Sequence, residues 1–446
     1  MNDLIYARSQ MGMSLAFHIL FAVAGITLPL MMVIAEWMHL KTRDPIYAEI
    51  AKRWATGTAV LFAIGAVSGT VLSFELGLLW PGFMQWAGSI IGLPFSLEGF
   101  AFFTEAIFLG IYLYGRKIVT PSMHLFAGIV VAVSGALSAV FVVIANAWMN
   151  YPVGFKLQNG MPVEIDPIAA MTSPAAGPQV VHMLIASYAA IGFLAAGVHA
   201  YMLLKDKTDQ FHRKAMAIAL AVGATAAIAE PISGDFIARM VAHTQPVKLA
   251  ALEGQFDTEN GAPLRIGGVP DVKNRVTPYS IELPKLLSVL AFHDPNARVK
   301  GLNDFARDLW PPVLLVHLNF QVMVACGGAM ALMSTWAALL YLKTKRVPDH
   351  DLFLKCMVLA APLGCIAVEA GWMVTEFGRQ PWVISNILRT HHAATPVPGL
   401  LIPFLFFTLV YILLSICVIW LMLRLFSNTN PVTAPVEPAP EGLSDA

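Results

Sequence analysis

Long apolar runs recur along the chain, at about 14–38, 54–80, 95–115, 122–148, 179–204, 215–235, 310–342, 353–377 and 398–425. Each is long enough to cross the hydrocarbon core of a bilayer as a helix, which needs about 20 residues. Lipid offers the backbone no hydrogen-bond partners, so an open chain crosses it as helix. The pattern predicts an all-α protein, a polytopic membrane helix bundle of about nine transmembrane helices. Polar stretches between the runs are short, with one exception at 236–309. Within that segment, Val247-Lys248-Leu249-Ala250-Ala251-Leu252-Glu253 has helix-forming composition, and Gly267-Gly268-Val269-Pro270 breaks the chain. Pro431, Pro435, Pro438 and Pro440 predict a disordered tail. The chain therefore divides into 1–235 with six helices, a hydrophilic loop at 236–309, 310–426 with three more helices, and the tail 427–446.

Composition sharpens this reading. Of 446 residues, 57% are hydrophobic and 13% charged, against about 25% charged in a soluble domain. The mean hydropathy is +0.67. With 28 basic residues balancing 28 acidic ones, a nucleic-acid binder working by bulk positive charge is excluded, as are a disordered chain and an ordinary water-soluble enzyme. The balance conceals sidedness. Short loops after the first, third, fifth and seventh runs, from Lys41 to Lys355, hold fourteen lysines and arginines; the opposite short segments hold Arg8, Lys156, Arg379 and Arg389. The positive-inside rule then places the N-terminus outside, with the long loop, and the C-terminus in the cytoplasm. No small-residue cleavage pattern follows Trp37, so the first run reads as a retained helix. Cys326, Cys356, Cys365 and Cys417 have no metal-site spacing and read as small buried hydrophobes.

Ionisable residues inside membrane helices are costly and point to function. Here they are His18, Glu75, Glu98, Glu105, His182, His199, Glu230, His317, Glu369 and Glu376. His18, Glu98, His182, His317 and Glu376 are expected near the outer ends of their helices. His182 and Met323 are residue types that can hold both axial positions of a low-spin haem. Taken singly, a helix–helix hydrogen bond for the histidine and core packing for the methionine are the commoner explanations. Glu98 and Glu105, seven apart, stack on one helix face. Such a pair suits a proton relay, because two carboxylates in low dielectric resist joint ionisation; an ion pair with another helix is the alternative. In Gly371-Trp372-Met373-Val374-Thr375-Glu376-Phe377-Gly378-Arg379-Gln380-Pro381-Trp382, Glu376 and Arg379 lie within pairing reach and Pro381 stops the helix at the membrane edge.

On these residues the chain resembles subunit I of the bacterial cytochrome bd-type quinol oxidases, from about residue 1 to 425. The run Gly378–Trp382 is highly specific to that family. His18, the run from Glu98 to Glu105, Val180-Val181-His182 and the run from Lys248 to Glu253 match in order and spacing. The resemblance implies nine helices and three haems near the outer face. His182 and Met323 are then the ligands of a low-spin haem b, and His18 and Glu376 those of two high-spin haems, one b-type and one d-type. Arg379 neutralises haem propionates or holds Glu376. Glu98 and Glu105 flank the high-spin pair, with Glu105 the better relay. Lys248 and Glu253 serve quinol oxidation. Gln321 departs from the family, whose familiar members carry arginine there; the expected consequence is an altered charge around the low-spin haem. The loop is short, like that of the cyanide-insensitive group, whose members do not all carry the d-type haem, so a second haem b can replace it.

The resemblance further implies a terminal oxidase of the bacterial inner membrane that oxidises quinol at the outer face and reduces O2 to water. It is electrogenic through cytoplasmic proton uptake and pumps no protons. The implied partners are a second large membrane subunit, subunit II, and a single-helix small one, with no nucleic acid. Two other readings fit the residues: a haem-containing quinol dehydrogenase with another acceptor, and a proton-coupled secondary transporter working through Glu98 and Glu105.

Overall fold

The computed structural model describes residues 2–427; the tail expected beyond them lies outside the described residues. Helices α1 (Asn2–Thr42), α2 (Pro45–Leu79), α3 (Pro81–Tyr114) and α4 (Pro121–Asn150) run up and down. Their starts are written in the sequence: Pro45, Pro81 and Pro121 occupy first turns, where the missing N–H costs nothing. Asp44 accepts from the Ile46 N–H at 2.9 Å, and Thr120 from the Met123 N–H at 3.3 Å. A hairpin of β1 (Lys156–Gln158) and β2 (Met161–Val163) and the short α5 (Pro167–Met171) lead to α6 (Ala176–Lys205) and α7 (Gln210–Thr244).

The long hydrophilic segment is folded. It contains α8 (Pro246–Leu252), β3 (Glu259–Asn260), β4 (Leu264–Gly267), β5 (Ser280–Leu283), α9 (Leu286–Phe292) and β6 (Arg298–Val299). Strand β4 pairs antiparallel with β5, and β3 with β6. Its core of Leu249, Leu252, Phe256, Leu287, Val299 and Leu302 continues into Val313, Val316 and Val374 of the bundle. The segment is thus seated on the helices, and the end of the bundle that carries it is called the loop face below.

Helix α10 (Val313–Thr344) is followed by α11 (Asp351–Ala360) and α12 (Leu363–Arg379), which together make the eighth span with an interruption at Ala361-Pro362. The apolar run 353–377 predicts one continuous helix there; Pro362 removes an N–H and clashes with the preceding turn. After β7 (Trp382–Ile384), β8 (Leu388–Arg389) and α13 (Thr390–Ala393) comes α14 (Leu401–Ser427). Among the described residues, nine helical spans are long and apolar enough to cross a membrane.

Several helices outrun the apolar windows that predicted them. Helix α1 starts at Asn2 and α3 at Pro81, so His18 and Glu98 lie well inside their helices, not near the ends. Hydropathy marks where lipid could be, whereas the helix continues until a cap or proline stops it. Where α6 crosses α7 the two backbones touch: a Cβ on Gly192 would fall 2.4 Å from the Gly223 Cα. Small residues at such crossings let van der Waals packing hold helices that lipid does not push together. All four cysteines are free; Cys326 is buried, but Cys417 is exposed on α14, contrary to the expectation of burial.

Candidate functional site

Most of the expected site residues lie in the half of the bundle toward the loop face, in groups held by different helices; Glu105, past the middle of α3, lies deeper. The first group joins the loop to the specific motif. At the end of α12, Glu376 accepts through Oε2 from Arg379 Nη2 at 2.5 Å and through Oε1 from Asn146 Nδ2 at 2.7 Å. Asn150, one turn beyond Asn146 on α4, donates to the Asn146 Oδ1 at 3.0 Å. Lys248 of α8 then reaches the Asn150 Oδ1 and the Thr375 carbonyl, each at 3.5 Å. A Cβ on Gly378 would meet the Lys248 Cε at 2.7 Å, so the glycine of the motif is what admits the lysine stem. A continuous polar chain therefore runs Lys248–Asn150–Asn146–Glu376–Arg379.

Electrostatics across this chain are unusual. Lys248 is fully enclosed, and burial lowers its ammonium to about 7, helped by the Arg379 charge and opposed by Glu376. On the other side of α8, burial pushes the Glu253 carboxyl up to about 8 against the pull of Arg265. Among the described residues, the Glu253 Oε2 has no hydrogen-bond partner, nor do Arg379 Nε and Nη1, although all three are buried. Orphaned charged donors and acceptors of this kind are rare and call for an explanation. Arg379 has the fork geometry that fits a carboxylate, such as a haem propionate.

Two histidines are oriented alike. His18 of α1 turns its Nδ1 to the Ser68 Oγ of α2 at 3.0 Å. His182 of α6 turns its Nδ1 to the Ser233 Oγ of α7 at 2.9 Å, with the Glu230 carboxylate at 3.2 Å. Fixing one ring nitrogen this way turns Nε2 away from the serine and leaves it available to a metal, the arrangement common for metal-bound imidazole. Met323 of α10 lies against α12, its Sδ 3.1 Å from where a Gly371 Cβ would be. The donor set of histidine, thioether and carboxylate, with the orphaned guanidinium, fits haem.

On α3, Glu98 accepts from the Ser138 Oγ of α4 at 3.1 Å. Glu105 is buried, its Oε1 3.1 Å from where a Gly135 Cβ of α4 would stand. The two carboxylates share the α3–α4 seam, as their spacing predicts, with no ion-pair partner there among the described residues.

Other intramembrane candidates do not join the site. His317 is fully buried, with Nδ1 2.8 Å from the Leu252 carbonyl and Nε2 3.0 Å from the Gly267 carbonyl, so both ring nitrogens are committed. His199 meets His212 at the opposite end of the bundle, Nδ1 to Nδ1 at 2.9 Å. Glu75 accepts from Gln10 and Ser14, both at 2.9 Å. Asn146 and Asn150 were missed because a screen for ionisable groups passes over neutral amides; their one-turn spacing at the end of an apolar helix was the available signal. Ser68 and Ser233 carried none, since serine is common at helix crossings.

Comparison with known proteins shows the family. The family model of cytochrome bd terminal oxidase subunit I matches residues 6–430. A Bacillus subtilis (strain 168) protein provisionally named cytochrome bd menaquinol oxidase subunit I is 39% identical over 440 residues, spanning 97% of this chain and 98% of that one. Cytochrome bd-II ubiquinol oxidase subunit 1 of Escherichia coli (strain K12) is 27% identical, over 93% of this chain and 95% of its own. Among solved structures, that of bd oxidase from Geobacillus thermodenitrificans superposes with a TM-score of 0.91 at 38% identity, covering 96% of this chain and 99% of that one. The chain, with nine membrane-length helical spans among its described residues and matched along nearly its whole length, belongs to the cytochrome bd terminal oxidase subunit I family.

Proposed function

We propose that the polar chain from Lys248 to Arg379 joins a quinol site in the loop to a haem site in the bundle. The chain is a multi-pass subunit of a terminal quinol oxidase of the bacterial inner membrane, oxidising quinol and reducing O2 to water. The observation that carries the site assignment is the buried lysine held by neutral amides and a carbonyl, beside a carboxylate–guanidinium pair with spare donors.

When bound, haem supplies the one-electron chemistry and the iron at which O2 is reduced. His182 and Met323 would hold a low-spin haem b through Nε2 and Sδ. His18 and Glu376 would hold the two high-spin haems, a b-type and either a d-type or a second b-type. Arg379 would donate its free N–H groups to a propionate while keeping Glu376 in place. Asn146 orients the Glu376 carboxylate from the other side.

In the loop, Glu253 is the base: its unpartnered Oε2 accepts a quinol hydroxyl proton. The Lys248 ammonium donates to the ring oxygen and orients it. The 236–309 segment is thus the quinol-binding unit, between the haem and relay residues of 1–235 and the haem ligands of 310–426. With the N-terminus and the loop outside and the C-terminus cytoplasmic, quinol protons leave at the outer face. Glu98 and Glu105 hand protons along the α3–α4 seam from the cytoplasmic side. Opposite proton movements make the reaction electrogenic without a pump. The partners are subunit II and a single-helix small subunit.

The test is a reduced-minus-oxidised spectrum and pyridine haemochrome of the purified protein, followed by oxygen uptake with added quinol. Haem bands and quinol-dependent uptake are expected; no haem bands, or quinol oxidation that consumes no O2, overturns the reading.

A further inference from the structure

Gln321 stands two residues before Met323, and its side chain is bound to the backbone of β4. Its Oε1 accepts the Gly267 N–H at 2.9 Å, and its Nε2 donates to the Arg265 carbonyl at 3.0 Å. One turn earlier on the same face of α10, His317 reaches the Gly267 carbonyl at 3.0 Å and the Leu252 carbonyl at 2.8 Å. Strand β4 pairs with β5 along one edge only. Along the other edge, the Arg265 carbonyl and both polar groups of Gly267 are taken by these two side chains.

The amide of Gln321 therefore acts as a strand partner, giving one donor and one acceptor to the spacing of a β edge. Arginine has five donors and no acceptor, so it cannot take the Gly267 N–H. The altered charge expected at this position is accompanied by a contact that only an amide makes. What the strand carries gives the contact its meaning. Arg265 pairs with Glu282 at 3.0 Å, hydrogen-bonds Gln255, and supplies the charge and backbone N–H that oppose the burial of the Glu253 carboxyl. Leu252, gripped by His317, immediately precedes Glu253.

We propose that Gln321 and His317 are positioning residues that clamp β4 and the end of α8, and with them the Glu253 carboxyl, to the helix that carries Met323. Quinol-site geometry and the methionine's helix then move as one body. The inference rests on the reading of Glu253 as the quinol base, but the clamp itself can be tested without it.

Trypsin cleavage after Lys273 or Arg275, both exposed in the β4–β5 connection, reports the clamp in the resting protein. Gln321→Leu is expected to speed this cleavage and raise KM for quinol, each about tenfold, with kcat within about twofold. Adding a non-oxidisable quinol analogue should shift the midpoint potential of the low-spin haem in the wild type and not in the variant. Gln321→Glu keeps the acceptor for Gly267 and loses the donor to Arg265, so smaller changes in the same direction are expected; it carries the test if Gln321→Leu does not assemble. Unchanged cleavage and unchanged KM in these variants overturn the proposal, as does a loss of kcat and haem content with KM constant. Faster cleavage without any quinol turnover in the wild type would leave the clamp standing and remove the functional reading.

Discussion

The two ends of the bundle hold buried polar groups on different terms. Away from the loop face, polar groups largely satisfy one another: His124 meets Glu36 at 2.5 Å and the Tyr112 carbonyl at 2.8 Å, and His199 meets His212. Toward the loop face, capacity is left over. Of the twelve buried side-chain nitrogen and oxygen atoms without a hydrogen-bond partner among the described residues, two, Glu36 Oε2 and Arg213 Nε, belong to the opposite end. The rest lie in the loop half or midway, including Arg379 Nε and Nη1, Glu253 Oε2, and Trp372 Nε1. Each such unpaired group costs about 1–3 kcal/mol, so a concentration of them toward one end calls for an explanation. Spare capacity is thus concentrated toward the loop face, at Arg379 and Glu253 but also at Glu75 Oε2 and Gln10 Oε1.

The largest effect should come from the thioether. Met323→Leu keeps the volume and removes the sulfur, so the low-spin haem signal should be lost outright while the high-spin signals persist. An unchanged low-spin spectrum would return Met323 to ordinary packing. Next in size is Glu253→Gln, expected to lower kcat for quinol about 100-fold, the low end of what a positioned base contributes. Its pH profile sharpens the point. Lys248 is charged below about 7 and Glu253 ionised above about 8. The form with both charges peaks between those values, so kcat/KM should rise and then fall with pH. Glu253→Gln should abolish the rising limb alone. Lys248→Ala should cost about tenfold in kcat/KM, since a hydrogen bond from a charged donor contributes about 1.5–3 kcal/mol. Haem content should stay unchanged; equal loss of all haems would make Lys248 a structural residue.

Much of this site was legible in the sequence, for physical reasons that also mark the limit. Apolar length revealed nine spans because a bilayer tolerates little else. Their ends were misjudged at Asn2 and Pro81, where helix persists beyond the apolar stretch. Glu98 and Glu105 were paired correctly because helical spacing is a local property. His182 gave no hint of Ser233 or Glu230, and Glu376 none of Asn146, since those contacts depend on which helices become neighbours. Gln321 was visible as a departure, but its partners lie more than fifty residues away in β4, so no local pattern could reveal its use.

The smallest expected effect tests the comparison from its quiet side. His199 is as deeply buried as any candidate ligand and is likewise an ionisable residue inside a membrane span. Its Nδ1 is spent on His212, and Trp54 and Phe211 pack against its ring at 6.1 Å between centroids. If spare capacity is what marks function, His199→Gln should leave quinol turnover and all haem bands within about twofold of wild type, because it removes nothing that faces a cofactor. It should still lower thermal stability, by about 1–3 kcal/mol, for stranding a buried imidazole. Unfolding followed by intrinsic fluorescence, alongside oxygen uptake, measures both. A large loss of turnover with intact stability would mean that a fully committed histidine far from the loop face takes part in the reaction, and the contrast between the two ends would fail.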